Sequence, residues 1–290
     1  LNTTLWDELL ELGVVDAQLA RWRAHLARLA AARPPVPVQV PTGLDADLRD
    51  YQHEGLDWLS FLWDNGLGGV LADDMGLGKT VQTLALIARA VAGGAGKFLV
   101  VAPTSVARNW VAECRKFTPG LTAVAVTSTT ARATVGLAEQ VAAADIVVTS
   151  YTLLRMDTAA YSEIQWAGMV LDEAQFVKNH NSKTHQSARL LDVPFKLAVT
   201  GTPMENNLME LWSLLSITVP GLFPSPKVFD TYFRKPIESG GADDRLAVLR
   251  RRIKPVLLRR TKSQVLTGNG RKCLGCWGTG SATGSRSSGR

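Results

Sequence analysis

The sequence LADDMGLGKTVQTL, residues 71–84, decides the fold predicted for this chain. An apolar run at residues 69–72 leads into it. Beyond an acidic, glycine-containing turn, Val81, Leu84 and Ala85 recur at helical spacing. A strand, a glycine turn that ends in Gly-Lys-Thr and a following helix are together typical of a phosphate-binding loop.

The chemistry of such a loop depends on its glycines and on the two residues that end it. Gly76 and Gly78 let successive backbone N–H groups point into one concavity at the start of a helix, which suits an anion. Lys79 then reaches the β- and γ-phosphates, and the Thr80 hydroxyl is a ligand for Mg²⁺. The strict pattern has another glycine where this chain has Asp73. Taken alone, the motif therefore leaves open an ordinary glycine turn before a helix.

Composition sets only the broad class of the protein. At about 150 residues per domain, 290 residues suit about two domains, and 46% hydrophobic content suits a globular protein with a large core. The net charge is +6, but four cationic residues lie in the last stretch, which leaves 6 − 4 = +2 for the rest. These four are Arg271, Lys272, Arg286 and Arg290. Composition alone therefore does not indicate nucleic-acid binding.

The three cysteines bear on compartment and metal binding. The chain has an odd number of cysteines, Cys114, Cys273 and Cys276, and no signal-peptide pattern is read in it. Together these features predict a reducing, cytoplasmic setting. Zinc would need a second ligand pair close to Cys273 and Cys276, and none is near, so no zinc site is expected. No apolar run reaches the roughly 18 residues of a membrane span, so no membrane association is expected.

The chain divides into five predicted segments. Residues 1–32 have leucines at helical spacing and predict a helical segment, and residues 33–43 are a proline-rich linker because proline disfavours helix in the preceding residue. Residues 44–218 form the main lobe, and residues 219–262 a helical extension. Residues 263–290 are rich in glycine, serine and arginine and predict a disordered or out-of-frame tail.

Strands alternate with helices throughout the main lobe. Asp47 is predicted to cap a helix that carries Tyr51. The predicted strands are residues 69–72, 97–102, 121–126, 145–149, 167–171 and 196–200. A polar cluster follows most of them, which indicates a parallel α/β sheet whose clusters converge on one cleft at the carboxyl edge.

Asp172 and Glu173 follow one of these strands directly. Beside a phosphate loop, one carboxylate holds the Mg²⁺ shell opposite Thr80, and the other orients and deprotonates the attacking water. An Asp-Glu pair after a strand is about as often an ordinary loop or helix cap. The phosphate loop upstream favours the catalytic interpretation here.

Seven stretches in this order resemble the Swi/Snf-type ATP-dependent DNA translocases of helicase superfamily two. They are LRDYQHEGLDWL, DDMGLGKT, VVAPTSVARNW, VVTSYTLLR, LDEAQ, VTGTPMENNLMELWSLL and VLLRRTK, and the resemblance covers roughly Leu44 to Lys262. Asp73 agrees with it, since the family's loop also lacks the first glycine. The family usually has histidine where this chain has Gln175, which should keep a polar coupling role. The implied fold is a single RecA-like lobe, the N-terminal ATP-binding lobe, with helical additions at both ends.

The resemblance also implies a role for each matching position. Gln52 would read adenine, and the residues that bind nucleotide would be Gln52, Asp74, Met75, Gly76, Leu77, Gly78, Lys79 and Thr80. The catalytic residues would be Lys79, Asp172 and Glu173, with Mg²⁺ on Thr80 and Asp172. Nucleotide state would be coupled to lobe movement by Gln175, Thr200, Gly201 and Thr202. The backbone of double-stranded DNA would be contacted, without reading of bases, by Thr104, Ser105, Ser150 and Tyr151.

The family's second lobe normally supplies arginines worth roughly 10³–10⁵ in rate in related phosphoryl transfer. No second sheet can be read after Val265, so we expect this polypeptide to bind ATP·Mg²⁺, hydrolyse it slowly alone and not translocate. Arg259, Arg260 and Lys262 are interpreted as phosphate contacts or braces between lobes, or equally as a solvated basic helix end. Two other functions stay open, a non-catalytic nucleotide-dependent binding module and an RNA helicase lobe. The GTPMENNLMELWSLL and LLRRTK stretches argue against the latter. A DNA-bound, nucleoid-associated location is expected.

Overall fold

The structure is a computed structural model that describes residues 36–223, 225–240 and 243–266. The predicted helical segment at residues 1–32 and the Cys273–Cys276 pair lie outside these residues. So does the predicted tail beyond residue 266. In the described part of the chain, every helix is too short or too polar to cross a membrane.

Seven strands form a single, wholly parallel sheet. The strands are β1 Gly69–Leu71, β2 Phe98–Ala102, β3 Ala123–Ala125, β4 Ile146–Ser150, β5 Gly168–Asp172, β6 Phe195–Val199 and β7 Leu257–Leu258. Their order across the sheet is β3-β4-β2-β5-β6-β1-β7. All six predicted strands are present, with ends shifted by at most two residues, and the predicted parallel α/β fold is confirmed.

Helices flank this sheet. They are α1 Asp50–Asp64, α2 Lys79–Ala92, α3 Thr104–Phe117, α4 Leu137–Gln140, α5 Tyr151–Met156, α6 Thr158–Ser162, α7 Lys183–Leu190, α8 Leu208–Thr218, α9 Pro226–Phe229, α10 Lys235–Glu238, α11 Asp243–Ile253 and α12 Lys262–Leu266. Short 3₁₀ turns occupy Thr130–Arg132 and Ala174–Val177, and a π-helical segment, Asp230–Arg234, joins α9 to α10.

Continuous apolar runs form the central strands because helices cover both faces of a parallel sheet. Every residue of β2, β4 and β6 is buried. The sheet also packs tightly where β1 begins, since a Cβ on Gly68 would lie 2.0 Å from the carbonyl oxygen of Thr218. The start of strand β1 is therefore held closely against the end of α8.

Two local predictions were wrong. Helix α1 begins at Asp50 with Arg49 as its N-cap, not near Asp47, because the Gln52 side chain accepts the Arg49 N–H at 2.9 Å and closes the first turn. The helix α12 covers residues 262–266, where the predicted disordered tail was to begin.

Strand β7 was not predicted at all. It lies parallel to β1, where the Val70 N–H donates to the Val256 carbonyl at 2.8 Å and the Ala72 N–H donates to the Leu258 carbonyl at 2.7 Å. The stretch that we interpreted as a lobe brace or solvated basic end thus adds an edge strand. The lobe boundary at residue 218 stays a prediction, although the sheet takes its seventh strand from beyond it.

A buried lysine on a neighbouring strand binds the carboxyl end of helix α7. The Nζ of Lys196, on β6, donates to the carbonyl oxygens of Ala188 and Arg189, both at 3.0 Å. Burial lowers the pKa of Lys196 to about 8, although the charge of Asp192 opposes this shift.

This lysine makes stability depend on pH in a predictable direction. An unfolded lysine has a pKa of about 10.4, so between about pH 8 and pH 10 the unfolded chain binds more protons than the folded chain at this site. The free energy of unfolding of the wild type should therefore rise relative to that of Lys196→Met as the pH increases from about 7.5 to 9.5. Urea titrations of both proteins at the two pH values measure this difference. A difference that stays constant or falls would contradict the assignment.

Candidate functional site

The predicted site residues meet at the carboxyl edge of the sheet. Strands β5, β6 and β1 are neighbours, so the segments that follow them lie side by side. The Thr200 N–H donates to the Leu71 carbonyl at 3.1 Å, which joins the end of β6 to the end of β1. Ligands of open α/β sheets bind at this edge.

The loop after β1 has the geometry of an anion site. Gly76 and Gly78 have φ values of 86° and 74°, which residues other than glycine rarely adopt. Helix α2 begins at Lys79, so its first N–H groups have no partner within the helix. Among the described residues, the N–H groups of Gly76, Gly78, Lys79 and Thr80 donate to no carbonyl of the loop or its surroundings. The loop thus presents several free donors at a helix N-terminus, as a phosphate requires.

The Lys79 ammonium lies within electrostatic reach of the acidic pair. Its Nζ donates to the carbonyl oxygens of Asp73 at 2.7 Å and Asp74 at 3.4 Å. Burial lowers the pKa of Lys79, while the carboxylates of Asp73, Glu173, Asp172 and Asp74 oppose this shift. The ammonium group and the acids therefore face one cleft, in agreement with their predicted proximity.

Asp172 is held firmly at the end of β5. Its Oδ2 accepts the indole N–H of Trp110 at 2.7 Å, and its backbone carbonyl accepts the hydroxyl of Tyr151 at 2.7 Å. Burial raises the pKa of Asp172, and the Trp110 hydrogen bond opposes that shift. Among the described residues, no side-chain hydrogen bond reaches Oδ1. A backbone hydrogen bond from Glu173 also favours the ionised carboxylate, the form that binds a cation.

Trp110 was not recognised as a site residue from the sequence. The signal that could have revealed it is the indole N–H, which needs an acceptor when the ring is buried. The ring is only 2% exposed, and the carboxylate of Asp172 is that acceptor.

Glu173 has an unusual backbone conformation. Its φ of 49° and ψ of 55° make it the only non-glycine residue of the described ranges with a positive φ. Such a conformation costs about 1–3 kcal/mol, and such residues concentrate at functional sites. The side chain is partly exposed at the start of the 3₁₀ turn. Because the backbone leaves the strand conformation at Glu173, its side chain projects in a different direction from that of a residue that continues β5.

Two oxygen donors in this cleft fit a magnesium ion. They are the Thr80 hydroxyl, in the first turn of α2, and Oδ1 of Asp172. Mg²⁺ prefers such hard oxygen ligands and usually takes only one or two from the protein. The donor set is therefore compatible with the metal that the sequence predicts.

Gln52 lies against the loop from helix α1. Besides its bond to Arg49, its Nε2 donates to the Leu77 carbonyl at 3.3 Å. A Cβ on Gly78 would lie 2.3 Å from this Nε2, so the contact itself requires glycine there. The Gln52 amide braces the loop in this structure, and its reading of adenine stays a prediction.

The segment after β6 lies beside the loop. A Cβ on Gly201 would lie 4.0 Å from the backbone nitrogen of Met75. The Thr202 N–H donates to Oγ1 of the buried Thr200 at 3.1 Å, and the Thr202 hydroxyl pairs with Glu205. The predicted coupling residues Thr200, Gly201 and Thr202 thus lie beside the loop, and their coupling role stays a prediction.

The last predicted coupling residue, Gln175, is exposed, and no hydrogen bond of its side chain is found in the described chain. A different side chain links the segment after β5 to the segment after β6. Lys178 is buried just beyond the acidic pair, with Nζ 3.2 Å from Oε2 of Glu210 and 3.5 Å from Oε1 of Glu205. Glu210 in turn accepts the Glu205 N–H at 2.8 Å. Sequence reasoning missed Lys178 and Glu210, because the sequence does not show that Lys178 is buried and therefore in need of a partner.

The predicted nucleic-acid contacts are only partly accessible. Thr104 and Ser105 are exposed at the start of α3. Ser150 and Tyr151 are each 5% exposed. The Ser150 Oγ accepts the Leu153 N–H at 3.2 Å. Together with the Tyr151–Asp172 hydrogen bond, this burial leaves little of either side chain at the surface, and their contact with a nucleic-acid backbone stays a prediction.

Asp73, the departure from the strict loop pattern, has a buried partner. Its carboxylate is fully buried and forms a two-pronged ion pair with the guanidinium of Arg260, just after β7. Arg260 is therefore neither solvated nor free to contact phosphate directly.

These features define a phosphate-loop nucleotide site at the carboxyl edge of a RecA-like parallel sheet. Residues 51–272 match the SNF2-related domain family, and the chain belongs to this family. The match continues past Lys262, where the resemblance on motifs ended.

Named relatives agree with this membership. The ISWI chromatin-remodeling complex ATPase CHR11 of Arabidopsis thaliana is 40% identical over 235 residues, which are 79% of this chain and 22% of that protein. The putative ATP-dependent helicase/translocase YwqA of Bacillus subtilis (strain 168) is 38% identical over 242 residues, which are 83% of this chain and 26% of that protein. The chain thus spans about a quarter of the length of these curated relatives.

A solved structure has the same fold. The Sulfolobus solfataricus SWI2/SNF2 ATPase core in complex with dsDNA is similar with a TM-score of 0.70 at 37% sequence identity. The likeness covers 78% of this chain and 47% of that one. It confirms the predicted single RecA-like lobe.

Proposed function

We propose that this chain is the ATP-binding lobe of a DNA-stimulated ATPase that moves along duplex DNA and remodels protein–DNA complexes. The observation that supports it most is the meeting of Lys79, Asp172 and Glu173 in one cleft beside a loop of free backbone donors. The relatives' names, which include ATPase and helicase/translocase, support the same reaction class.

In this proposal, the triphosphate lies on the N–H groups of the loop. The Lys79 ammonium exchanges the carbonyls of Asp73 and Asp74 for β- and γ-phosphate oxygens. Thr80 and Oδ1 of Asp172 would hold Mg²⁺, which when bound neutralises charge on the phosphate oxygens.

Glu173 is the group that would take a proton. Its carboxylate orients the attacking water and accepts a proton from it as the oxygen bonds to the γ-phosphorus, while the bond to the β-phosphate oxygen breaks. Trp110 keeps the neighbouring Asp172 carboxylate fixed, so the two acids perform separate tasks.

DNA binding is proposed from two exposed hydroxyl groups of this chain and from one similar solved structure. The solved Sulfolobus core is described in complex with dsDNA. In this chain, Thr104 and Ser105 offer exposed hydroxyls near the cleft, and hydroxyl groups contact phosphates without reading sequence. A second RecA-like lobe is the further proposed partner, and association with chromosomal DNA the proposed location.

Single-turnover ATP hydrolysis, with protein in excess, tests this function in three arms: no nucleic acid, duplex DNA and single-stranded RNA. Faster hydrolysis with duplex DNA than with RNA is the expected result. A preference for RNA would favour an RNA helicase lobe. ATP binding without stimulated turnover in any arm would favour a nucleotide-dependent binding module. The absence of ATP binding would overturn the nucleotide site itself.

Trp110→Phe should weaken the Mg²⁺-dependent part of ATP binding by roughly tenfold, the lower end of the usual effect of removing a group that orients a metal ligand. The Asp172 carboxylate loses its fixed orientation, while the ring volume is largely kept. Titration of Mg²⁺ against a fluorescent ATP analogue measures the change.

Trp166→Phe is the matched control. The Trp166 indole is also buried, but it donates to the Tyr161 carbonyl at 2.8 Å, away from the acids. Equal effects of the two variants would show that loss of any buried indole hydrogen bond suffices, and would refute the role of Trp110.

A further inference from the structure

Arg260 makes its strongest contacts with the first residue of the phosphate loop. Its Nε donates to Oδ1 of Asp73 at 3.0 Å, its Nη2 donates to Oδ2, and its backbone N–H donates to Oδ1 at 3.0 Å. Asp73 has no exposed surface, and Arg260 is 7% exposed. The pair is therefore enclosed by protein on all sides.

The same guanidinium reaches two other parts of the site. Its Nη2 donates to Oε1 of Gln82 at 2.7 Å, and the Gln82 amide in turn donates to the carbonyls of Leu77 and Gly78, each at 3.3 Å. Its Nη1 donates to the carbonyl of Tyr51, the residue before Gln52. One side chain thus joins the start of the loop, the end of the loop and helix α1.

The backbone around Asp73 is fixed as well. The Asp74 N–H donates to the Arg260 carbonyl at 3.0 Å, and the Lys262 N–H donates to Oδ2 of Asp74 at 3.0 Å. The carbonyl oxygen of Asp73 is the one that accepts the Lys79 ammonium at 2.7 Å. Any shift of Asp73 therefore moves the group that restrains Lys79.

Stability alone does not account for a buried ion pair. Desolvation of both charges often cancels their attraction, and replacement of such a pair by uncharged groups is often neutral or stabilising. Removal of one partner, in contrast, leaves an uncompensated buried charge. The arrangement is better explained by the geometry that it imposes on the loop.

We infer that Arg260 is a positioning residue for nucleotide binding: through Asp73, Gln82 and Tyr51 it sets the loop that receives the phosphates against the helix that carries Gln52. This inference rests on the proposed function, since it assumes that ATP binds at the loop. In this inference the segment after β7 contributes to the nucleotide site without contacting phosphate directly.

Three variants test it: Arg260→Met, Asp73→Asn and the double variant. Arg260→Met should lower the melting temperature and weaken binding of a fluorescent ATP analogue at least tenfold. The double variant removes both charges, and the asparagine at position 73 still offers an acceptor for the backbone N–H of residue 260. Its melting temperature should therefore recover most of the loss, while its nucleotide affinity should stay at least tenfold below that of the wild type. Recovery of both properties would make the pair merely structural and would overturn the inference, as would unchanged affinity in Arg260→Met.

Arg89→Met is the matched control. Arg89 forms a two-pronged pair with Asp64, with both hydrogen bonds at 2.9 Å, and this pair also joins α2 to α1, but at the far end of both helices and on the surface. This variant should leave nucleotide affinity unchanged. An equal loss of affinity would show that any tie between the two helices has the same effect, and would overturn the specific role of Arg260.

Amide hydrogen exchange without nucleotide separates this inference from the proposed function. In the double variant, the amides of Asp74 and Leu77, which donate to the carbonyls of Arg260 and Asp74, should exchange at least tenfold faster than in the wild type, whether or not ATP binds. If the wild type binds no ATP analogue, the proposed function fails while faster exchange still supports Arg260 as the group that positions the loop. Unchanged exchange would refute that positioning.

Gly55→Ala provides a test without change of charge. The added methyl group would lie 1.8 Å from Oε1 of Gln82 and 2.9 Å from Nη2 of Arg260, so it must displace this network. Alanine is otherwise the better helix former. A folded Gly55→Ala protein should show the same loss of nucleotide affinity, and wild-type affinity in it would count against the inference.

Discussion

Glu173→Gln should slow single-turnover ATP hydrolysis by about 10²- to 10⁴-fold, the usual range for loss of a general base, while ATP affinity changes by less than about threefold. Glutamine has nearly the same shape as glutamate but cannot accept the proton of the attacking water. The residue is expected to act on water and not on the triphosphate, so binding should persist.

The control for this prediction is Glu163→Gln, which changes an exposed glutamate beyond the end of α6 and should leave the rate unchanged. Quenched-flow measurement of phosphate release, with protein in excess over ATP, gives the rate even if turnover is slow. Hydrolysis by Glu173→Gln at the wild-type rate would remove Glu173 from the mechanism. Loss of ATP binding in the same variant would instead show that the carboxylate shapes the binding site.

Lys79→Ala should weaken ATP binding by roughly 10- to 150-fold, since a hydrogen bond to a charged group contributes about 1.5–3 kcal/mol. In the absence of nucleotide, stability should change little. Burial lowers the pKa of Lys79, so the folded protein holds this ammonium at a cost, and its removal offsets the two lost carbonyl contacts.

Lys97→Ala is the matched control, because the Lys97 Nζ also donates to two carbonyl oxygens, those of Ala142 and Ala144, at 2.5 and 3.0 Å. It lies just before β2, at the opposite edge of the sheet from the cleft, and should leave ATP affinity unchanged. Isothermal titration and urea unfolding of both variants separate binding from stability. Unchanged ATP affinity in Lys79→Ala would contradict the assignment of the loop.

The fold was predictable wherever local pattern determines structure. Six strands are apolar runs that a sheet buried on both faces requires. Strand β7 could not be read in this way, since it has only two residues and lies in a basic stretch. Its position depends on hydrogen bonds with β1, which the local sequence does not encode.

The site was predictable in its main chemistry and not in its supporting contacts. The loop and the acidic pair carry their chemistry in consecutive residues. Trp110 and Arg260, in contrast, act on residues 62 and 187 positions away. The Tyr151 hydroxyl, which donates to the carbonyl of Asp172, 21 positions away, is another contact that the local sequence does not reveal.

The long separation between Asp73 and Arg260 also bears on how the protein is made. The loop leaves the ribosome 187 residues before the guanidinium that will enclose its first carboxylate. At about 5–20 residues per second, this interval lasts roughly ten to forty seconds. During that time the Asp73 carboxylate stays hydrated and β1 has an open edge. Full ATP affinity is therefore expected to develop only after β7 and Arg260 have been added to the sheet.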